Sequence, residues 1–378
     1  MELSLTAFTD KTGAVTGVLV KGKHSGLYQI NAKAVVLATG GIGANAKLVQ
    51  SLRPDISADV KTSNQPGSQG DGMVLAQKIG ASVTDAKEIQ LNPTLLVDSP
   101  VIVSETVRGA RAVFVNKEGK RFISELTTRD VTGAAVSKQT GGVAYEIFDQ
   151  KVRDKVKQTG AAFELGLAKE GNTIRELAAA AGIDPDNLEK TMTDYNRYAE
   201  NGKDPEFHRP DGFPKVDKPK YYAIEITPAI HYYMGGLTID GKTRVINTKG
   251  QPIKGLFAAG EVTGGVHGKN RLGGNSISET ITFGRIAGTE AVKTVILSFG
   301  IKSRCSRWLR RFLSIRKTFF SSHCSCFNYG AAAHFSLATA FAHHFRTVET
   351  GTRVNSLILR QETPSARIFI TFSRNSSE

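Results

Sequence analysis

The 378-residue sequence predicts an α/β fold that is interrupted by an inserted α+β segment and followed by an atypical C-terminal tail. Three observations carry this prediction. Two short apolar runs, at 34–38 and 255–260, end in glycines, as buried parallel strands do where a helix and a ligand come close. Helical signals and polar loops lie between the two runs. After residue 297 the composition changes abruptly.

The first apolar run follows strand-like sequence and ends in ATGG (38–41). An ordinary strand-to-helix turn has the same pattern, so this run alone leaves ligand contact open. A second glycine pair, GDG (70–72), precedes the helix-like run MVLAQKIG. Amides at a helix N-terminus favour anions. Both stretches are therefore candidates for contact with an anionic ligand.

The second apolar run ends on an acidic residue, Glu261, followed by TGG (263–265). A carboxylate at the C-terminal end of a parallel strand is well placed to accept hydrogen bonds from a ribityl or ribose hydroxyl. A helix cap or loop carboxylate is the alternative. NRLGGNSI (270–277) then leads into a helix predicted over 278–296. Its adjacent glycines would let backbone amides face a flat ring.

The inserted segment, 87–230, predicts a hairpin and several helices. The hairpin pairs 112–115 with 121–123 through a turn at 117–119. Helices are predicted over 173–181 and 187–200, the second started by Asp184-Pro185. The following run, NGKDPEFHRPDGFPKVDKP, predicts a polar loop.

The formal charge of +14 belongs mainly to the tail, because 298–378 holds twelve Lys and Arg against three Glu, a net +9. All the cysteines, Cys305, Cys324 and Cys326, also lie there, so the body has no disulfide framework or c-type haem site. We interpret the tail as a mis-joined or out-of-frame extension. A basic amphipathic segment at 308–317 and a poorly ordered appendage stay open as alternatives.

No metal site, nucleic-acid partner or membrane span is predicted. A single Cys-x-Cys beside His323 is weak metal-site evidence, nucleic-acid binding rests only on tail charge, and 331–345 is too short and His-rich to cross a bilayer. The chain starts in strand-like sequence without a signal peptide, which predicts a cytoplasmic location and an N-terminus that lacks an upstream unit.

Six motifs in this order resemble the flavoprotein subunit family of soluble fumarate reductases and succinate dehydrogenases, over roughly 18–296. They are ATGG, GDG, SETVRG with GKRFISELTTRD, HYYMGG (231–236), AAGEVTGGVHG (258–268) and NRLGGNSI. The resemblance implies FAD held in a Rossmann-like domain, here 1–86 and 231–297, with 87–230 as a mobile capping domain and substrate bound between them.

The resemblance also implies the chemistry, which is reduction of the C=C bond of fumarate to succinate. Hydride comes from N5 of reduced FAD and a proton from Arg129. Glu105 and Arg108 match a relay that returns the proton from solvent. The implied substrate-binding residues are Asn92, Ser104, Glu105, His231, Arg271 and Gly274. The implied cofactor-binding residues are Thr39, Gly40, Gly41, Asp71, Tyr232, Glu261, Ser276 and Ile277.

Structural roles are the alternatives for these residues. Arg129 could pair with Asp130, Glu105 and Arg108 could form a solvated pair on a strand edge, and His231 could be a hydrogen-bonded core histidine. A guanidinium is a poor acid in water, so proton donation by Arg129 requires a desolvated, charge-crowded site.

The sequence departs from the family pattern in three places. Asn92 stands where a histidine is usual, and an amide donates a hydrogen bond but never carries positive charge. An acrylate-type or urocanate-like acid is therefore an alternative substrate. Ser104 replaces a common threonine and keeps the hydroxyl. The Gly-x-Gly-x-x-Gly unit that cradles the FAD pyrophosphate is absent, which predicts weak FAD binding by this polypeptide alone.

Two functions of different classes remain. The chain is either a flavin-dependent enoate reductase, with a small unsaturated or dicarboxylic acid as substrate and an unidentified electron donor as partner, or a catalytically silent fragment of one. Enoate-dependent turnover discriminates between them.

Overall fold

The computed structural model describes residues 6–22, 26–210, 213–298, 356–359 and 368–371. The strands are β1 Thr6–Thr9, β2 Val15–Gly22, β3 Gly26–Asn31, β4 Val35–Leu37, β5 Lys61–Thr62, β6 Val83–Thr84, β7 Ile89–Leu96, β8 Val113–Val115, β9 Ala144–Asp149, β10 Ala168–Gly171, β11 Tyr221–Tyr233, β12 Gly236–Leu237, β13 Arg244–Ile246, β14 Pro252–Ala258, β15 Ser356–Leu359 and β16 Ile368–Thr371. The helices are α1 Ala46–Leu52, α2 Asp71–Lys78, α3 Glu105–Gly109, α4 Arg129–Ser137, α5 Gln150–Lys155, α6 Gly160–Glu164, α7 Ile174–Ala181, α8 Pro185–Glu200 and α9 Asn275–Ser298.

The two apolar runs of the sequence form neighbouring parallel strands, as predicted. β4 pairs with β14, so that Leu37 lies opposite Ala258 and the glycine turns after both strands meet at one edge of the sheet. The sheet order is β13-β14-β4-β16-β15, with β16 antiparallel to β4. α9 covers one face of this sheet, where its Ala287 and Ala291 pack with Phe257 of β14.

The inserted segment is built around a second, six-stranded sheet. β11, thirteen residues long, pairs with β9, β10 and β7 in antiparallel fashion and with β5 in parallel fashion, and β8 adds to β9. β11 runs without interruption across the predicted domain boundary at 230/231. A single strand therefore carries residues assigned to both predicted domains, which fixes His231 relative to the insert.

Apolar clusters lie on both faces of this second sheet. On one face Phe114, Ala144 and Phe148 pack with Val107 of α3 and Val136 of α4. On the other face Tyr145, Ile147 and Ala223 pack with α7 and α8. Side chains of a strand alternate between faces, so Glu146, between Tyr145 and Ile147, is on the side of α3.

Local signals predicted α7 and α8 correctly. Thr173 caps α7 and Asp184 caps α8, with Pro185 at its first turn. The predicted hairpin is shorter than expected, because its second arm is reduced to one bridge between Val115 and Arg121. The strand-edge alternative for Glu105 and Arg108 is wrong: both lie on α3, capped by the Ser104 side chain.

Most of the tail, for which a poorly ordered extension was predicted, lies outside the described residues. Within the part of the chain that is described, no helix is long and apolar enough to cross a membrane.

Candidate active site

Arg129 is the first residue of α4 and its side chain points inward, where it is buried. Its Nε donates to Glu105 Oε1 at 2.8 Å and its Nη2 donates to Glu105 Oε2 at 2.9 Å. This two-pronged pairing is the strongest geometry open to a guanidinium and a carboxylate. Asp130 instead accepts from Asn270, at 2.6 Å. The structural alternative, an Arg129–Asp130 pair, is wrong.

Glu105 connects two arginines. Besides Arg129 it accepts from Arg108 Nη2 at 2.7 Å. The hydrogen bond from Arg129 comes first among the causes that hold the pKa of Glu105 at about 2, against the opposing effect of partial burial. Glu105 is therefore a carboxylate at neutral pH, able to accept a proton in passing but not to store one.

Arg108 is buried. Its Nη1 donates to the backbone oxygens of Glu125 and Thr127, at 3.0 and 3.3 Å. The three residues of the predicted relay are thus joined in a continuous series of hydrogen bonds, from Arg129 to Glu105 and from Glu105 to Arg108. Its solvent-facing member is Glu105, whose side chain is 33% exposed, whereas 6% of the Arg108 side chain is exposed.

Gln90 links Arg129 to the opposite wall of the site. Its Oε1 accepts from Arg129 Nη1 at 2.8 Å, and its Nε2 donates to the backbone oxygen of Arg271 at 2.7 Å. Gln90 cannot be selected from the sequence, because a lone glutamine on an apolar strand carries no chemical pattern. Its role follows only from the pairing of β7 with β11.

His231 lies beside a serine that the sequence analysis also missed. Its Nδ1 is 2.9 Å from Ser63 Oγ. Burial first, and then the positive charges of Arg129 and Arg271, lower the pKa of His231 to about 4. The imidazole is therefore neutral at pH 7. The positive charges of Arg129 and Arg271 both act on His231, so the three residues lie within electrostatic range of one another.

Arg271 lies flat against an aromatic ring. Its guanidinium carbon is 4.3 Å from the centre of the Tyr232 ring, a cation–π geometry. The Tyr232 hydroxyl donates to Glu279 Oε2 at 2.9 Å, which fixes the ring. Desolvation, followed by the nearby Arg129, lowers the pKa of Arg271. An anion in this site would relieve both effects. Tyr232, predicted to contact the cofactor, packs against Arg271, which was predicted to bind substrate.

The glycine pair before α9 has two different roles. A Cβ on Gly273 would overlap Glu105 Oε2 and lie 3.1 Å from Arg129 Nη2. Gly274, the glycine selected from the sequence, has a φ of 84° and open space around it. The backbone at Gly273 therefore closes over the Arg129–Glu105 pair, while the Gly274 conformation turns the chain into α9.

Asn92 and Ser104 both make local hydrogen bonds. Asn92 Oδ1 accepts from the backbone N and the Oγ1 of Thr94, at 3.0 and 2.9 Å. With Oδ1 occupied by Thr94, the Nδ2 group is the part of the Asn92 side chain that can donate a hydrogen bond. Ser104 Oγ accepts from Thr106 as the cap of α3, so it holds the helix that carries Glu105.

The glycine turns at the sheet edge pack closely around two acceptors. A Cβ on Gly41 would lie 2.6 Å from Glu261 Oε1, and a Cβ on Gly72 would overlap Thr39 Oγ1. Thr39 Oγ1 is buried without a hydrogen-bond partner among the described residues. Burial raises the pKa of Glu261 to about 7, although its Oε1 accepts from the backbone N of Tyr233 at 2.8 Å.

The remaining predicted cofactor residues surround this edge. Gly40, with a φ of 76°, forms the turn after β4, and Asp71 opens α2. Ser276 and Ile277 lie in the first turn of α9, where the Ile277 side chain is 65% exposed. An orphaned hydroxyl, a protonatable carboxyl and an apolar surface at one edge fit the polyol and ring portion of FAD.

The FAD binding domain family matches residues 2–277. The chain is 48% identical over 284 residues to "Fumarate reductase (cytochrome)" from Shewanella frigidimarina, which covers 75% of this chain and 50% of that protein. It is 40% identical to "NADH:acrylate oxidoreductase" from Vibrio harveyi (68% of this chain, 26% of that protein) and 36% identical to "Urocanate reductase" from Eggerthella lenta (75% and 48%). The chain thus spans about half the length of the fumarate reductase that it matches.

Among solved structures, the open conformation of a flavocytochrome c3 fumarate reductase matches with a TM-score of 0.66 at 46% identity, over 78% of this chain and 52% of that one. The sequence resemblance is confirmed, and FAD is the cofactor of the family. The chain belongs to the FAD binding domain family, and over these residues it is similar to fumarate reductases.

Proposed function

We propose that this chain provides the substrate-binding and proton-transferring part of a FAD-dependent reductase of fumarate or of a related α,β-unsaturated acid. One observation carries the proposal. Arg129, Glu105 and Arg108 form a continuous hydrogen-bonded series, and Gln90 joins its inner end to the backbone of Arg271.

Thr39, Glu261 and the start of α9 would hold FAD, by the fit described above. When bound, FAD supplies the hydride that reduces one carbon of the double bond. The other carbon needs a proton, and the residues of this chain must deliver it while they hold the carboxylate that activates the alkene.

Arg271 is the cation that binds the substrate carboxylate. It is buried and supported by Tyr232, so its charge is poorly solvated and gains strongly from an anionic partner. His231 is neutral and contributes a hydrogen bond rather than a charge. A bound carboxylate would raise the pKa of His231 again.

Arg129 is the proton donor in this proposal. Gln90 and Glu105 fix its guanidinium from two sides, and water is largely excluded because the side chain is buried. Once Arg129 has released a proton, Glu105 is the adjacent group that can pass one to it, and Arg108 the next. General-acid catalysis of this kind contributes about 10²- to 10⁴-fold in rate.

The insert, 87–230, acts as the capping domain in this proposal, and 1–86 with 231–297 forms the FAD-binding domain. A cytoplasmic location stays a prediction, as does the need for a separate electron donor as partner. The silent-fragment alternative makes the opposite prediction for turnover.

Enoate-dependent oxidation of reduced methyl viologen tests the proposal. The protein is loaded with FAD and supplied with fumarate, acrylate or urocanate in turn. Oxidation that depends on one of these acids, with the saturated acid as product, supports the proposal. Flavin-loaded protein that oxidises viologen with none of them contradicts it.

Asn92→His tests how the substrate is selected. A histidine here could take up a proton when a second substrate carboxylate binds beside it, whereas Asn92 offers only an amide donor. We expect the ratio of kcat/KM for fumarate over acrylate to rise by about 10-fold, the value of one charge-assisted hydrogen bond. An unchanged ratio would place Asn92 outside the substrate site. Asn187→His, on α8, is the control.

A further inference from the structure

Four charged side chains form a buried quartet next to the relay, and they comprise Arg121, Glu125, Asp204 and Arg209. Each is at most 6% exposed. Arg121 donates to Glu125 Oε1 at 3.0 Å and to Asp204 Oδ2 at 2.9 Å, and Arg209 Nη1 donates to Glu125 Oε2 at 2.7 Å. Two cations thus balance two anions inside the protein.

The quartet contacts Arg108 from both directions. Arg209 Nη2 donates to the backbone oxygen of Arg108 at 2.8 Å. The backbone oxygen of Glu125 in turn accepts from Arg108 Nη1 at 3.0 Å. The main chain and the side chain of Arg108 are therefore both attached to the quartet.

α3, which carries Arg108, has only five residues. A helix this short is not stable on its own and depends on tertiary contacts. Arg209 supplies such contacts at the C-terminal end of α3, where its Nη1 also reaches the backbone oxygen of Ala112 at 3.1 Å. A cation near the last carbonyls of a helix is favourable.

We propose that Arg209 is a positioning residue of the relay, which holds Arg108 so that its guanidinium meets Glu105. Its effect on catalysis rests on the proposed function, but its effect on the order of Arg108 does not. Arg209 lies in the polar loop after α8, to which the sequence analysis assigned no role.

Arg121 provides a matched control. It is as buried as Arg209 and binds the same Glu125 carboxylate. In the part of the chain that the structure describes, however, it makes no hydrogen bond to Arg108. Loss of either arginine leaves a buried carboxylate short of a partner, so both changes should lower stability. Only the loss of Arg209 should release Arg108.

The experiment compares Arg209→Met with Arg121→Met in the full chain. In ¹⁵N-arginine-labelled protein, the Arg108 guanidinium signal is identified by its loss in Arg108→Lys. We expect its hydrogen exchange to be at least about 10-fold faster in Arg209→Met and nearly unchanged in Arg121→Met, because only the first change allows local opening at α3. Equal exchange rates in the two variants would overturn the proposal.

Turnover provides the second measurement. In the flavin-loaded protein we expect Arg209→Met to lower kcat by about 10- to 100-fold, the effect of misplacing a catalytic group by about 1 Å. KM should change little, since Arg209 does not face the substrate. Arg121→Met should keep kcat within about threefold despite a lower Tm. Parallel losses of kcat in the two variants would show a purely structural role.

If no unsaturated acid is reduced by the unmodified protein, the proposed function fails, and the exchange measurement alone decides the role of Arg209. If either methionine variant does not fold, Arg209→Lys and Arg121→Lys replace them. A lysine keeps the charge, but its single ammonium group cannot reach Glu125 and both carbonyls at once. The same difference in exchange is expected.

Discussion

Two carboxyl groups lie near Arg108, and their surroundings differ. Glu105 is partly exposed and accepts hydrogen bonds from Arg108 and Arg129, which hold its pKa at about 2. Glu146, on β9, is fully buried, and neither of its oxygens is hydrogen-bonded by a described residue. Burial raises the pKa of Glu146 to about 8, and the charge of Arg108 offsets only part of this rise.

The comparison shows that nearness to a cation does not by itself keep a carboxyl group charged: burial without a hydrogen-bonding partner raises the pKa of Glu146, whereas partial exposure and direct hydrogen bonds keep Glu105 ionised. Both groups are influenced by Arg108, but only Glu105 is bonded to it. Glu105 is therefore anionic and fit to pass protons, whereas Glu146 is neutral over most of the physiological pH range. Because Glu146 is neutral, it does not compete with the Glu105 carboxylate for the Arg108 guanidinium.

Glu105→Gln tests the first of these two carboxyl groups, the one that is hydrogen-bonded to both arginines. An amide keeps the shape but cannot carry a proton between Arg108 and Arg129. We expect kcat for enoate reduction to fall by about 10²- to 10⁴-fold, with flavin content unchanged. Steady-state kinetics and the flavin absorbance of the purified variant measure the two quantities. A loss of less than about threefold would remove Glu105 from the relay.

Gly273→Ala displaces Glu105 without removing it. The added Cβ would overlap Glu105 Oε2, and the carboxylate, being the end of a flexible side chain, would shift. We expect kcat to fall by about 10- to 100-fold while Tm changes little. Gly288→Ala on α9, where a Cβ meets no atom within 4 Å, is the control and should keep full activity. Equal activity of the two variants would contradict the close approach of Gly273 to the pair.

Glu146→Gln tests the second of these carboxyl groups, the fully buried one. The raised pKa means that folded protein holds a proton that the unfolded chain releases above about pH 4.5. The stability that Glu146 contributes is thus fully present below pH 4.5 and is lost as pH rises to about 8. The variant should match the unmodified protein at pH 4.5 and exceed it by about 2–5 kcal/mol at pH 9.

Urea unfolding at several pH values measures this effect. Part of the slope of the unfolding free energy against pH should persist in the Glu146→Gln variant, because burial also raises the pKa of Glu261, to about 7. Glu170→Gln, at an exposed position, should leave the slope as it is. An unaltered slope in Glu146→Gln would show that Glu146 is ionised in the folded protein.

The sequence predicted those parts of the fold that depend on local signals. Asp184-Pro185 starts α8 because a capping carboxylate and a proline act within one turn. The two apolar runs became parallel neighbours because fully buried strands carry their own pattern. α3 was missed, since five residues are too few to show a helical period and its stability comes from distant contacts.

The site divides in the same way. Arg129, Glu105, Arg108 and Arg271 stand in recognisable motifs, and the structure brings them together as expected. Gln90, Ser63 and Gly273 were not selected, because their contacts join β5, β7 and the turn before α9, which are far apart in the chain. The neutral state of His231 was not foreseen either, since it depends on burial beside two arginines.

The central claim is that Arg129 donates the proton, and the kinetics of Arg129→Lys test it most directly. Lysine keeps a positive charge but cannot bond Glu105 and Gln90 together. The account predicts that the flavin-loaded variant loses about 10²- to 10⁴-fold in kcat for enoate reduction, while its flavin is still reduced by viologen at the normal rate. Normal turnover by this variant would contradict the account.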